Sequence, residues 1–311
     1  MAKILITESV HPIGPELLTA AGHTVVYADR DMDVIRREIV DADAVLVRII
    51  ELPGSLLATA KNLKIVSKHG VGYDNIDLDY CKSHGVAVTI TPNANSLSVA
   101  EHAFTLMLTL AKNIIPVSNE YRTVGFAAKN HAPGIEMTGK TLGLVGMGRI
   151  GKHILHMCRD GLDMHVIVYD PYISEIPEGV EKVGDLSELL RRADVVTLHC
   201  LLTDETRKLI DRERLALMKP TALLINCARG PIVDEAALIE ALENGRLAGA
   251  GLDVTDPEPV APDSPLFKLP NVIVTPHYAP TTVESATRVS KIAAENINAV
   301  LAGQEPVGRI V

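Results

Sequence analysis

Short β-branched runs alternate with segments of helical composition along almost the whole chain, and this alternation limits the fold more than any other feature. Runs at 3–7, 24–27, 44–47, 64–67 and 86–89 are separated by stretches such as 14–21, 33–40 and 77–84, whose composition suits helices. Crossovers of that length join parallel strands, so the series predicts a doubly wound parallel sheet. A longer apolar helix is expected at about 97–114, with Ser96 or Ser98 available as its cap. A second series then runs through 141–145, 165–169, 195–199, 222–226, 248–253 and 272–275, with helices over 149–159, 186–191 and 235–243. A final helix is read at 283–301. The 311 residues are about twice a common domain size. The expected domains are 1–97, completed by 283–311, and 98–282.

Composition narrows the chemistry. A net charge of −9, with no Lys/Arg-rich run, argues against a nucleic-acid surface, so an anionic ligand would have to be met by a few local cations. No stretch of about 18 apolar residues offers a membrane span, and the first residues read as a strand rather than a targeting segment. Cys81, Cys158, Cys200 and Cys227 show no CxxC spacing and no metal-ligand cluster, the pattern of reduced cytoplasmic thiols. No metal site is expected.

The stretch "TLGLVGMGRIGKHIL" places Gly146, Gly148 and Gly151 directly after a strand and at the opening of a helix. This G-x-G-x-x-G pattern lets the backbone turn tightly, approach a pyrophosphate and present helix N–H groups to it. Asp170 ends the next strand, 19 residues after Gly151. A carboxylate there accepts from both ribose hydroxyls and repels a 2′-phosphate, which favours NAD over NADP. Arg149, Ile150, Pro171 and Cys227 are assigned to the same cofactor surface; Cys227 is read as a small strand-end residue rather than a nucleophile.

In "TALLINCARGPIVDE" a buried strand gives way almost at once to Arg229, whose charge cannot be lost and is costly to desolvate without an anion. "LDVTDPEP" sets Glu258 on a proline-flanked loop, and "VTPHYAP" sets His277 after the last strand. All three follow the carboxyl ends of predicted parallel strands, where open α/β sheets gather ligands. Hydride transfer to a 2-keto acid needs a fork for carboxylate and carbonyl, a proton donor, and a group that orients the donor. Arg, His and Glu suit those roles. Glu101 and His102, in "SVAEHAF", are read as anchors of the start of the long helix. Lys68 and His69 are open between lining a ligand site and facing solvent.

Together with "KHGVGYDNID" and "TPNANSLSVAEHAFTLMLTLAKN", these residues resemble the D-isomer-specific 2-hydroxyacid dehydrogenase family over nearly the whole chain, most of all its phosphoglycerate dehydrogenase-like members. The resemblance implies an α/β fold of two doubly wound parallel-sheet domains, a Rossmann NAD-binding domain and a flavodoxin-like substrate domain. It implies that Arg229 binds substrate carboxylate and carbonyl, that His277 is the acid–base, and that Glu258 hydrogen-bonds its imidazole. Val71 and Gly72 would offer backbone N–H groups to the carboxylate, and Asp253 would stand near the nicotinamide amide. A dimer through the cofactor domain is implied as well. Arg48, after the run "DAVLVR", is the candidate contact for a second anion such as a phosphate.

The chain departs from the family in two places. Leu201 stands in "LHCLLTDET" where the family often has proline, and the sequence stops at Val311, so the regulatory C-terminal domain of longer members is expected to be absent. Members resembling formate dehydrogenase pair the histidine with glutamine, and Glu258 argues against that branch. The expected partner is a small 2-hydroxy or 2-keto acid, with phosphohydroxypyruvate, hydroxypyruvate and glyoxylate all admissible. The alternative of another class is an NAD(H)-sensing corepressor or scaffold.

Overall fold

Each β-run read from the sequence forms a strand in the computed structural model, which describes residues 1–311. The chain divides into one unit of Met1–Asn95 with Pro280–Val311 and another of Ser96–Ala279. These boundaries fall a few residues before 97/98 and 282/283, because the long helix begins at Ser96 and belongs whole to the second unit.

The first unit holds β1 (Lys3–Ile6), β2 (Thr24–Tyr27), β3 (Ala44–Val47), β4 (Ile65–Lys68) and β5 (Ala87–Thr89). They pair in the order β2-β1-β3-β4-β5, every neighbour parallel, which is the flavodoxin-like order. Strand periodicity explains why these runs are apolar throughout. Ile4 and Ile6 pack on one face with Leu46, Ile65 and the helix residues Ala293, Ala294 and Ile297. Leu5 packs on the other with Val45, Val47, Ile35 and Ile39. The helix Val283–Leu301 closes the first face, and Ser67 Oγ donates to its Ala293 carbonyl at 2.9 Å.

The second unit holds β6 (Thr141–Val145), β7 (His165–Tyr169), β8 (Val180–Lys182), β9 (Val195–Leu198), β10 (Leu223–Asn226), β11 (Gly249–Leu252) and β12 (Val272–Val274). They pair, all parallel, in the order β12-β11-β10-β9-β6-β7-β8. This is the Rossmann order with one strand added at the β12 edge, and it reverses between β6 and β9. Ligands gather outside the carboxyl ends of such a sheet, beside that reversal. Leu142, Leu144, Val166, Val168 and Ile225 meet the helices Ser96–Ala111 and Arg149–Leu162 on one face. Val145, Ile167, Val196, Leu198 and Leu224 form the other.

The single helix expected at 97–114 is two. Ser96–Ala111 ends before Asn113, which takes a left-handed φ of 50°, and a new helix runs over Ile114–Val124. That second helix buries none of its residues. No helix of the chain is long and apolar enough to cross a membrane.

Candidate active site

The glycine loop lies beside the reversal of the sheet. Gly146, just after β6, has φ +88°, and a Cβ there would stand 2.8 Å from the Cys200 amide nitrogen that follows β9. Only glycine tolerates both conditions. A Cβ on Gly148 would meet nothing within 4 Å, so the backbone there faces open space; a Cβ on Gly151 would meet the Gly146 carbonyl oxygen at 2.4 Å. The helix Arg149–Leu162 therefore packs closely on β6, and its Gly148 cap has no side chain to occupy the first-turn N–H groups. Those donors and the helix dipole suit a phosphate. Asp170 Oδ2 accepts from Met147 N at 2.9 Å and Oδ1 from Tyr172 N at 3.0 Å, which holds the carboxylate against the loop. Each oxygen keeps a lone pair for a ribose hydroxyl. Arg149 and Ile150 form the first helical turn and Pro171 follows Asp170, so a dinucleotide fits the residues present.

His199, after β9, has its Nε2 2.8 Å from Thr197 Oγ1, while its Nδ1 is buried with no hydrogen-bond partner. Burial lowers its pKa to about 3, so the ring is neutral at ordinary pH.

Arg229 follows β10 on a short loop built by Asn226. Asn226 Oδ1 accepts from Ala228 N at 3.0 Å, and its Nδ2 donates to the Arg229 carbonyl at 2.9 Å. Asn226 is thereby the residue that turns the chain, which the sequence reading missed. The Arg229 guanidinium is half-buried and donates through Nη1 to the Ala228 carbonyl at 2.7 Å. A Cβ on the next residue, Gly230, would lie 1.9 Å from the Thr255 carbonyl oxygen, so the loop packs backbone to backbone on the segment leading to Glu258. Cys227 is buried; desolvation, with Asp253 as the lesser cause, pushes its thiol well above the usual range and leaves it inert.

His277 and Glu258 meet, with Nδ1 2.6 Å from Oε1. His277 has φ +52°, a conformation that costs a non-glycine residue roughly 1–2 kcal/mol. Its amide donates to the Asp253 carbonyl at 2.8 Å and to the Thr275 carbonyl at 3.0 Å. Asp253 is 1 % exposed, and its carboxylate is spent on the same turn. Oδ1 accepts from Tyr278 N at 2.7 Å and Thr275 Oγ1 at 2.6 Å, and Oδ2 from Ala279 N at 2.9 Å. His102 reaches this cluster too, its Nε2 3.0 Å from Thr275 Oγ1 and 3.5 Å from Asp253 Oδ1. It ties the first half of its helix to the segment just after β12. Thr275 lies 173 residues further along the chain, and no local pattern could have shown the contact.

In the first unit, Arg48 follows β3, with its amide on Glu8 Oε2 at 2.7 Å and its Nη1 on the Ser9 carbonyl at 3.0 Å. Lys68, open in the sequence reading, is 7 % exposed and gives its Nζ to Asn75 Oδ1 and the Arg48 carbonyl. His69 is held near a pKa of 3 by burial first, then by Arg48 and Lys68. Val71 and Gly72 lie in the bend after β4, partly exposed.

A family model described as the NAD binding domain of D-isomer specific 2-hydroxyacid dehydrogenase matches residues 104–279. The chain is 41% identical over 308 residues to D-3-phosphoglycerate dehydrogenase of Methanocaldococcus jannaschii, covering 98% of this chain and 58% of that one. It is 38% identical over 319 residues to glyoxylate reductase of Thermofilum pendens, covering 98% and 93%. The chain thus spans little more than half the length of the phosphoglycerate dehydrogenase and nearly all of the glyoxylate reductase. Among solved structures, D-lactate dehydrogenase from Aquifex aeolicus, complexed with NAD and lactic acid, superposes with a TM-score of 0.88 at 32% identity, covering 96% of both chains. The TT0316 protein of Thermus thermophilus gives 0.91 at 35%, covering 99% and 100%.

Proposed function

Because the chain belongs to the D-isomer-specific 2-hydroxyacid dehydrogenase family, we propose that it is an NAD-dependent oxidoreductase interconverting a small D-2-hydroxy acid and its 2-keto acid. The observation that carries this reading is the His277–Glu258 pair, 2.6 Å apart, on the sheet whose reversal carries the glycine loop. When bound, the nicotinamide cofactor would supply or accept the hydride.

The rest falls to the chain's own side chains. Glu258 accepts the Nδ1–H of His277, which leaves Nε2 to move the proton. In reduction the imidazolium gives that proton to the nascent alkoxide; in oxidation the neutral ring takes it from the hydroxyl. Arg229 offers a planar fork to the substrate carboxylate and carbonyl. Asn226 sets the direction of that fork by bracing the loop from both sides. Gly146, Gly148, Arg149, Ile150, Gly151, Asp170, Pro171 and Cys227 form the cofactor surface. Asp253 acts at the nicotinamide end through the turn it holds. Arg48, Val71 and Gly72 are proposed for substrate contact.

Phosphohydroxypyruvate remains a candidate substrate, on the likeness to phosphoglycerate dehydrogenase. The nearly full-length likeness to a glyoxylate reductase supports the second reading, a plain keto acid such as glyoxylate or hydroxypyruvate. A homodimer is also proposed. No residue of the helix Ile114–Val124 is fully buried, and Ile114, Ile115, Tyr121 and Val124 are exposed on it, as is the neighbouring Phe126 at 73 %. A second copy would cover that face, and sedimentation equilibrium should return twice the chain mass. Free cysteines suit the reducing cytoplasm proposed as its location. The activity is tested with NADH or NADPH against glyoxylate, hydroxypyruvate and phosphohydroxypyruvate. Turnover of at least one, with NADH preferred, is expected. NADH binding without any turnover would favour a sensor or scaffold instead.

A further inference from the structure

We propose that His102, from the helix Ser96–Ala111, is a positioning residue for His277, acting through Thr275 and Asp253. The proposal rests on the reading of His277 as the acid–base group.

Hydrogen-bond accounting sets its direction. Thr275 has one hydroxyl proton, and Oγ1 gives it to Asp253 Oδ1 at 2.6 Å. The contact of Thr275 Oγ1 with His102 Nε2 at 3.0 Å must then run the other way, so Nε2 carries a hydrogen and donates. The same Nε2 lies 3.5 Å from Asp253 Oδ1, which places the positive end of its N–H dipole beside the buried carboxylate. His102 therefore fixes the hydroxyl that, in turn, fixes the carboxylate.

That carboxylate organises the turn. Its oxygens take the amides of Tyr278 and Ala279, the two residues after His277, and the Asp253 carbonyl takes the amide of His277 itself. The left-handed backbone of His277 does not sustain itself and persists only while its surroundings over-determine it. His102 supplies the outermost of those constraints from a helix fixed on both sides by buried Val99, Ala100, Ala103 and Leu106. Its ring also meets Tyr278 edge-on, with centroids 6.2 Å apart. Its effect is on where the His277 imidazole points.

Three variants test it: His102→Leu, which keeps bulk and loses the donor; His102→Gln, whose amide N–H can reach the same hydroxyl; and Thr275→Val, which removes the relay. Each is assayed with NADH and whichever of glyoxylate, hydroxypyruvate and phosphohydroxypyruvate turns over fastest. In His102→Leu and in Thr275→Val, kcat is expected to fall roughly 10- to 100-fold, as for a displaced catalytic group, while KM for the keto acid changes less than threefold. His102→Gln should recover most of the loss. Amide hydrogen exchange in the ligand-free protein supplies a readout independent of turnover. Residues 277–279 should exchange at least tenfold faster in His102→Leu, with exchange in β10 unchanged. In a His277→Asn background, His102→Leu should cost nothing further.

Wild-type kcat and unchanged exchange in both His102→Leu and Thr275→Val would overturn the proposal. So would equal losses in the presence and absence of the His277 imidazole. If His277→Asn alone retained activity, the acid–base reading itself would fail, an outcome distinct from failure of the His102 relay.

Discussion

His199 offers a test in which the structure sets both sign and size. The residue is partly exposed, but its Nδ1 is buried and unpartnered and its Nε2 lies on Thr197 Oγ1, and desolvation of the ring holds its folded pKa near 3 against an ordinary 6.5. The unfolded chain therefore binds more protons than the folded one between those values, and stability falls as pH falls. The contribution is whole above about pH 6.5 and is lost progressively toward pH 3. At pH 4.0 the loss is roughly 2.5 pH units of unfolded-state protonation, roughly 3–4 kcal/mol at about 1.4 kcal/mol per unit. His199→Gln removes the titrating group and, at pH 7.5, should be less stable than wild type by about 1–2 kcal/mol through the altered hydrogen bond and packing. At pH 4.0 the order should reverse, with the variant the more stable. Pulse-labelled hydrogen exchange of β9 and β10 peptides along a urea gradient reads the unfolding midpoint of this unit. A gap between wild type and variant that is the same at both pH values would refute the reasoning.

Arg229→Lys keeps the charge and loses the planar fork, so kcat/KM for the keto acid should fall roughly 30- to 1,000-fold, equivalent to about 2–4 kcal/mol, with NADH affinity little changed. A variant within threefold of wild type in steady-state assays would remove Arg229 from substrate binding. Asp170→Ser should narrow the NADH/NADPH preference, weakening NADH because the acceptor held on Met147 N and Tyr172 N is lost; equal use of both cofactors by the wild type would count against this reading. Arg48→Ala should reduce kcat/KM for phosphohydroxypyruvate roughly 10- to 150-fold and leave hydroxypyruvate nearly untouched. Equal losses on both would place Arg48 in support of the fold, through its contact with Ser9.

What the sequence disclosed follows the range of the interactions involved. Strands buried on both faces announce themselves as continuous apolar runs, whereas β8 (Val180–Lys182) is a polar edge strand and carries no such signal. The glycine loop was legible because strand, turn and helix lie within one short stretch. The end of the long helix was not, since Ile114 and Ile115 continue its apolar composition while Asn113 turns the backbone aside. Glu258 and His277 could be named as candidates by residue type and place after strands, and the resemblance supplied their pairing. Lys68 is ambiguous by sequence because its burial depends on Asn75 and the Arg48 carbonyl, polar partners that periodicity does not register. The tie from His102 to Thr275 and Asp253 is longer-ranged still, and only the fold brings those residues together.

On the proposed function, His277, oriented by Glu258, moves the proton in an NAD-dependent reduction of a 2-keto acid. The most direct test is to compare wild type with His277→Asn in NADH oxidation by the preferred keto acid, identify the enantiomer formed, and titrate NADH binding in parallel. The wild type should give a D-2-hydroxy acid, and the variant should lose roughly 10²- to 10⁴-fold in rate with NADH binding unaltered. An L-product, or a variant that reduces the keto acid as fast as the wild type, would contradict it.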